Sequence, residues 1–255
     1  MAVGSNRLGR PSIRAVDPWI PGKGSRGTHQ LLSDDERAQL ATIASIVRFK
    51  KGEEICSEGE PLKAVFNIIS GVAKAYRTHE TGSKHIVAFS YPEDLLGLSA
   101  EGKYTNSAKA LTPVTAYALP AEALQRRLSK VADLDFHVIA KLCQELRQAR
   151  HHALLLAQRH ASSKLAMFFQ LLENIQSLAG VTMEIYLPTD RSDIADYVGM
   201  SLAAVSRGFR APAEGGVIRC RDRRHVGIID RRAFEKLAHE PEAAAAARTA
   251  HSVLS

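Results

Sequence analysis

The sequence predicts an α+β fold in three parts: an N-terminal β-roll, a long helix and a C-terminal winged helix-turn-helix. Three observations predict it. From Ile46 to Pro120, short apolar runs alternate with glycine-bearing turns. From Ala121 to Ala179 a helical apolar period runs on without a single Gly or Pro. Beyond that, Ala195, Gly199 and Val205 stand at helix-turn-helix spacing, ahead of two short apolar runs.

Composition bounds the function classes. The chain has 255 residues, 45% hydrophobic and 24% charged, which is globular material rather than a disordered or disulfide-stapled chain. No apolar run approaches the ~18 residues of a membrane span. The N-terminal residues lack an apolar stretch of secretory type, so a cytoplasmic protein with no membrane partner is expected. Cys56, Cys143 and Cys220 are too few and too scattered for a disulfide framework or a zinc site. A net charge of +7 is compatible with a polyanionic partner.

Taken in order, residues 1–30 read as a flexible basic tail: Arg7, Arg10, Arg14, Lys23 and Arg26 stand against Asp17 alone. Ser33-Asp34-Asp35-Glu36 reads as a capping box opening a short helix through about Ser45. Strands are expected at Val47–Phe49, Glu54-Ile55, Val65–Ile69, Val72–Tyr76, His85–Phe89, Ala108–Leu111 and Val114–Leu119. Gly52, Gly59, Gly71, Gly82 and Gly97 fall between them. This is the β-roll, residues 31–120.

Residues 121–160 read as a dimerisation helix. Ile139, Leu142, Leu146, Ala149, Ala153 and Leu156 recur at steps of 3, 4, 3, 4 and 3, an a/d seam. A narrow apolar stripe on a long helix must be buried, and a second copy does so most economically. His151, His152 and His160 lack the i, i+4 spacing that grips a metal, so they are read as polar residues and no metal site is expected. A following helix buries Leu165, Phe168, Phe169, Leu172 and Ile175 and ends at Gly180. Met183–Leu187 is a strand stopped by Pro188.

The stretch from Asp190 to Arg210 is the most informative. Asp190 caps a first helix that buries Ile194, Ala195 and Val198, and Gly199 supplies the tight turn. Val205 and Phe209 anchor a second helix near 202–211, which turns Ser206 and Arg207 outward. Arginine can bond guanine O6 and N7 together in a major groove. Val217–Arg221 and His225–Ile229 then form a hairpin with a basic tip, Asp222-Arg223-Arg224, whose arginines suit phosphates. The candidate contacts to double-stranded DNA are Arg191, Ser201, Ala203, Ala204, Ser206, Arg207, Arg210, Arg223 and Arg224. The head spans 161–236, with a tail at 237–255.

This order of parts resembles the Crp/Fnr superfamily of bacterial transcription regulators over about residues 31–236. The motifs are Phe49-Lys50-Lys51-Gly52-Glu53-Glu54-Ile55, Ser57-Glu58-Gly59-Glu60, Ile68-Ile69-Ser70-Gly71, Ala108-Lys109-Ala110-Leu111-Thr112, and Ile194–Gly199 leading to Val205-Ser206-Arg207. Ile86-Val87-Ala88-Phe89 and the Ser206-Arg207 pair are most similar to the Fnr/FixK side. The resemblance implies a cyclic-nucleotide-binding-like jelly roll and a homodimer on an inverted repeat. It also implies contact with RNA polymerase and activation.

The departures are specific. The family's nucleotide pocket uses Gly-Glu and an Arg, whereas here Leu98 follows Gly97 and Asn106 stands in the Arg position, so cyclic AMP is not expected. No cysteine precedes Cys56, so neither is the family's iron–sulfur cluster, and no cofactor is expected. Glu93 takes the place of a usual turn glycine. Ala203 replaces the Glu that accepts from cytosine N4, though its methyl suits a thymine methyl. Pro212 is expected to end or bend the second helix. Cys220, between Arg219 and Arg221, is read as an inert buried thiol, with a redox switch as the alternative. These departures leave a second reading open: a ligand- or redox-sensing β-roll whose DNA-binding end has degenerated. No nucleophile–base set or phosphate loop supports an enzyme.

Overall fold

A computed structural model describes residues 10–11, 34–80, 82–128, 132–178 and 184–239. The basic tail apart from Arg10 and Pro11, together with Ser33, Gly180, Met183 and the tail from 240 onward, lies outside these residues. Two compact units divide the described chain, one ending at Arg147 and one beginning at Gln148.

The first unit is the β-roll. Its strands are β1 (Ser45–Phe49), β2 (Glu54–Cys56), β3 (Ala64–Ser70), β4 (Ala73–Thr78), β5 (Lys84–Ser90), β6 (Leu95–Leu96), β7 (Ser107–Ala110) and β8 (Val114–Pro120). They form two antiparallel sheets of order β1-β8-β3-β6 and β2-β7-β4-β5. Period-2 alternation assigns the faces. Phe66 pairs with Ala118 and Leu96, and these three join Ile55, Ile68, Ala108 and Ala116 in one buried cluster drawn from both sheets. The neighbouring residues Val65, Leu95 and Leu119 point the other way, onto Leu40 of α1 (Asp34–Ala41) and Leu124 of α2 (Ala121–Leu128).

Two expectations are corrected here. The capping-box helix stops at Ala41 rather than Ser45, because Ile43 and Ala44 turn back to bond Leu40 and Ser45 already pairs with Ala118. β6 was not expected, since two leucines carry no periodicity. Over 121–160 the described residues hold α2 and α3 (Ala132–Ala157), and the residues between these two lie outside the described ones. Glu93 does take the left-handed conformation of the glycine it replaces, at φ 72°, with its N–H bonded to Ile68 O.

α3 keeps most of its expected seam in the open. Leu142 and Leu146 are 46% and 53% exposed, Ala149 and Ala153 are exposed, and Leu156 is 43% exposed. The Ile139 side chain lies outside the described residues. Leu154, which the seam did not include, is also exposed.

The second unit holds α4 (Ala161–Leu178), α5 (Arg191–Val198), α6 (Leu202–Glu214) and α7 (Arg231–His239), with a sheet of order β10-β11-β9. Its strands are β9 (Ile185–Tyr186), β10 (Ile218–Cys220) and β11 (His225–Ile228). α4 buries Leu165, Phe168, Phe169, Leu172 and Ile175, as its spacing predicts. Arg231 of α7 grips Glu173 of α4 bidentately, at 2.7 and 2.5 Å. Among the described residues no helix is long and apolar enough to cross a membrane.

Candidate nucleic-acid interface

The elbow between α5 and α6 is built from local signals. Asp190 is extended and its carboxylate accepts from the Asp193 N–H at 3.1 Å, capping α5. Gly199 ends α5 at φ 62°, a left-handed conformation that glycine takes without a Cβ penalty. Three of the terminal carbonyls of α5 find donors suited to a helix C-terminus. Ala195 O accepts from the Gly199 and Met200 N–H groups, Tyr197 O from His152, and Val198 O from Lys164 at 3.1 Å. Burial holds the Lys164 ammonium below its ordinary pKa. Ser201 then caps α6, its hydroxyl accepting from the Ala204 N–H at 3.2 Å.

α6 has two faces. Val205, Gly208, Phe209 and Pro212 are buried, with the Phe209 ring edge-on to Phe169 at 5.0 Å. Gly208 lets α6 approach α4: a Cβ there would stand 2.7 Å from Leu165 Cδ1 and 3.2 Å from Ala161. The helix does not end at Pro212 but continues to Glu214. Pro212 sits in the last turn and removes one bond, and the carbonyl its ring faces belongs to Gly208, which carries no side chain to crowd it.

The opposite face carries Ala203, Ser206, Arg207 and Arg210, all exposed. Arg207 and Arg210 have no hydrogen-bond or ion-pair partner among the described residues, so both guanidinium groups are available. Ser206 is not fully available, because its hydroxyl donates to Leu202 O at 3.0 Å. Ala204 is half-buried. Leu202 is 52% exposed at the start of the same face. Sequence reasoning passed over Leu202 because it assigns apolar residues to the core. The available signal was its position directly after the capping Ser201, in the first turn of α6.

Three expected contacts are placed differently from one another. Arg223 is exposed at the hairpin tip. Arg224 is half-buried and tied inward, its Nη1 donating to Leu187 O at 3.1 Å. The Arg191 guanidinium lies over the Phe209 ring, its Cζ 3.0 Å from the centroid, with Nη1 buried and without a hydrogen-bond partner among the described residues. Burial lowers its pKa from the ordinary value, and the neighbouring Cys220 thiol raises it. Cys220 itself is exposed rather than buried. Its neighbours along β10 did not reveal the arginine beside it, because Arg191 arrives from α5. Asp222 shapes the tip, accepting from the Arg224 and His225 N–H groups at 2.6 and 2.9 Å.

Comparison with known proteins agrees with this architecture. Residues 46–130 match the cyclic nucleotide-binding domain and residues 163–237 the Crp-like helix-turn-helix domain. The nitrogen fixation regulation protein FixK of Bradyrhizobium diazoefficiens is 33% identical over 82% of this chain and 91% of its own. The chain belongs to the Crp/Fnr family. The transcriptional activatory protein AadR of Rhodopseudomonas palustris is 29% identical over 81% of this Crp/Fnr chain and 87% of its own. The solved structure of FixK2 from Bradyrhizobium japonicum matches with a TM-score of 0.71 at 27% identity, covering 76% of this chain and 97% of that one. These relatives are transcription regulators, not enzymes.

Proposed function

We propose that this Crp/Fnr protein is a homodimeric transcription activator that reads an inverted repeat in double-stranded DNA. The observation that carries the reading is Arg207: an unpaired guanidinium, exposed, on a helix whose opposite face is anchored in the head. Arg207 bonds a guanine edge, while Arg210 and Arg223 reach phosphates. The open seam of α3 supports a second copy as its partner, which sets two α6 helices in successive major grooves. Activation is supported by the activator and regulator it is similar to; contact with RNA polymerase and a cytoplasmic location are part of the same proposal.

The β-roll does not offer cyclic-nucleotide chemistry. Leu98 packs on the Leu40 cluster where a ribose acceptor would stand. Asn106 donates to the Thr105 hydroxyl and carries no charge for a phosphate. The Tyr104 hydroxyl is engaged with Ala64, donating to its carbonyl at 2.9 Å. A buried cyclic phosphate would find no cation at these positions. We therefore assign this β-roll no cyclic nucleotide.

Selection of the full chain against randomised duplexes tests the reading. The expected result is a symmetric motif whose half-sites lie about 10–10.5 base pairs apart, centre to centre. Recovery of no common motif overturns it and favours a head that has lost specificity. The same selection with oxidised thiol tests whether Cys220 alters DNA binding.

A further inference from the structure

The β4–β5 hairpin brings together two imidazoles that stand six residues apart in the chain, those of His79 and His85. His79 closes the hairpin: its N–H donates to Ser83 O at 2.9 Å, and its carbonyl accepts from the Gly82 N–H at 2.8 Å. Arg77 pairs with His85 further down the ladder. Because side chains alternate across a strand, Arg77, His79 and His85 share one face, and Tyr76, Thr78 and Lys84 the other. The Lys84 ammonium fits this division, lying 4.8 Å from the centre of the Tyr76 ring. On the first face the rings of His79 and His85 meet edge to face, with centroids 4.7 Å apart and planes at 80°. Both residues are exposed, and neither ring has a hydrogen-bond partner among the described residues. The cation on the same face, Arg77, is held by Glu58 at 2.7 and 2.8 Å.

We infer that His79 and His85 form a binding site for a divalent transition ion of the Ni²⁺, Cu²⁺ or Zn²⁺ class. With metal–nitrogen bonds of about 2.1 Å, two imidazoles on adjacent positions of one ion hold their ring centres about 4.5–5 Å apart. The observed separation falls in that range. A pair of imidazole nitrogens suits these borderline-soft ions and not Mg²⁺ or Ca²⁺, which take oxygen ligands. Nearby positive charge opposes a dication, but Lys84 is turned to the other face and Glu58 offsets Arg77. Two side chains fill two coordination positions, and water completes the rest. An edge-to-face ring contact favours the hairpin without any ion, yet it leaves the ring nitrogens unused, and ligation uses them. The ion also has a structural consequence. β5 is the edge strand of the sheet β2-β7-β4-β5, His79 directly follows β4, and His85 lies in β5. One ion bridging the two rings staples that edge to its neighbour. A separation of six residues matches no helical metal spacing, so the pair exists only once the hairpin has folded.

The test titrates the full chain, free of any affinity tag, with Ni²⁺ by calorimetry. The native chain should bind one more equivalent than either His79→Gln or His85→Gln. At this site each single variant should bind about a hundredfold more weakly, because the second nitrogen acts at high effective concentration only when the first is in place. The double variant should be no worse than either single one. Ni²⁺ should also raise the urea midpoint of the native chain and of neither variant, since it binds the folded hairpin. Both positions are exposed, and metal-free urea unfolding checks that the variants fold. Mg²⁺ should leave the midpoint unmoved. Native and single variants that bind Ni²⁺ alike overturn the site. Losses that accumulate from one substitution to the next overturn it as well, because they describe two independent imidazoles. A stabilisation by Mg²⁺ equal to that by Ni²⁺ removes the nitrogen-donor assignment.

Discussion

The ring of His152 lies on the ring of Tyr197, parallel within 6° at a centroid distance of 4.1 Å, and its Nε2 donates to the Tyr197 carbonyl at 2.7 Å. Because a carbonyl only accepts, Nε2 carries a proton in the neutral ring. The pair fixes the end of α3 to the C-terminus of α5. Burial lowers the His152 pKa from its usual value near 6.5, and the Tyr197 bond offsets this in part. A lowered pKa means that the unfolded chain takes up the proton first as pH falls. The stability His152 contributes is therefore full above about pH 6.5 and is lost through the window below it, down to the folded value. Thermal unfolding across pH 5–8 should show this, and His152→Gln should flatten the difference. Equal slopes in both proteins would count against the linkage.

Arg207→Ala should weaken binding to the selected duplex by about 1–3 kcal/mol and relax preference at one base of each half-site. Arg207→Lys keeps the charge but loses the planar fork that bonds two guanine acceptors. Lysine should therefore recover some affinity and little discrimination. Fluorescence anisotropy against matched and single-substituted duplexes separates the two effects, and unaltered discrimination in both variants would remove Arg207 from the reading role.

The α3 seam makes a separate prediction. Leu146→Asp sets a carboxylate in the middle of a face that is exposed at Leu142, Ala149 and Ala153. Desolvating it against a second copy is costly. Sedimentation should show a monomer for this variant and a dimer for the native chain. Affinity for the inverted repeat should fall roughly a hundredfold as the two heads lose their linkage. A dimer that survives the substitution places the interface elsewhere.

The elbow was legible in the sequence because each part of it is a local signal. Asp190, Gly199 and Ser201 each act on backbone groups within four residues, and all three do what their chemistry dictates. The strands were legible for the same reason, between turns that demand glycine. What was not legible came from distance. Nothing near Leu124 says that it belongs to a cluster with Leu40 and Leu119. Nothing near Cys220 announces Arg191, some thirty residues earlier in the chain. Leu202 was missed for the opposite reason: its identity argues for the core, and only the observed face puts it outside.

Glu93 offers a test of backbone strain in the β-roll. It is the one described non-glycine residue at positive φ, 72°, in the turn that leads to β6. Its N–H bonds Ile68 O at 2.8 Å, and the Asp94 carboxylate accepts from the Tyr91 N–H at 2.9 Å, so surrounding bonds hold the turn in place. A left-handed L-residue costs about 1–2 kcal/mol. Glu93→Gly should stabilise the fold by about 0.5–1 kcal/mol after the added unfolded-state entropy of glycine is offset. Urea unfolding should show a higher midpoint with an unchanged slope. A lower midpoint would mean that interactions of the Glu93 side chain outweigh the strain.

Gly208 couples two features of α6 that look independent. It leaves room for Leu165 and Ala161 on one side, and its carbonyl is the one faced by the ring of Pro212 on the other. Helix propensity alone favours filling it, since glycine is about 1 kcal/mol worse than alanine. Packing opposes this: an added Cβ would stand 2.7 Å from Leu165 Cδ1, and Leu165 is itself buried without slack. Valine adds two further methyls and regains little propensity, so overpacking of about 1–3 kcal/mol wins. Gly208→Val should lower the urea midpoint and weaken DNA binding through a displaced α6, even though position 208 is buried and touches no base. If binding and stability both persist, α4 and α6 are not held at the spacing that presents Arg207.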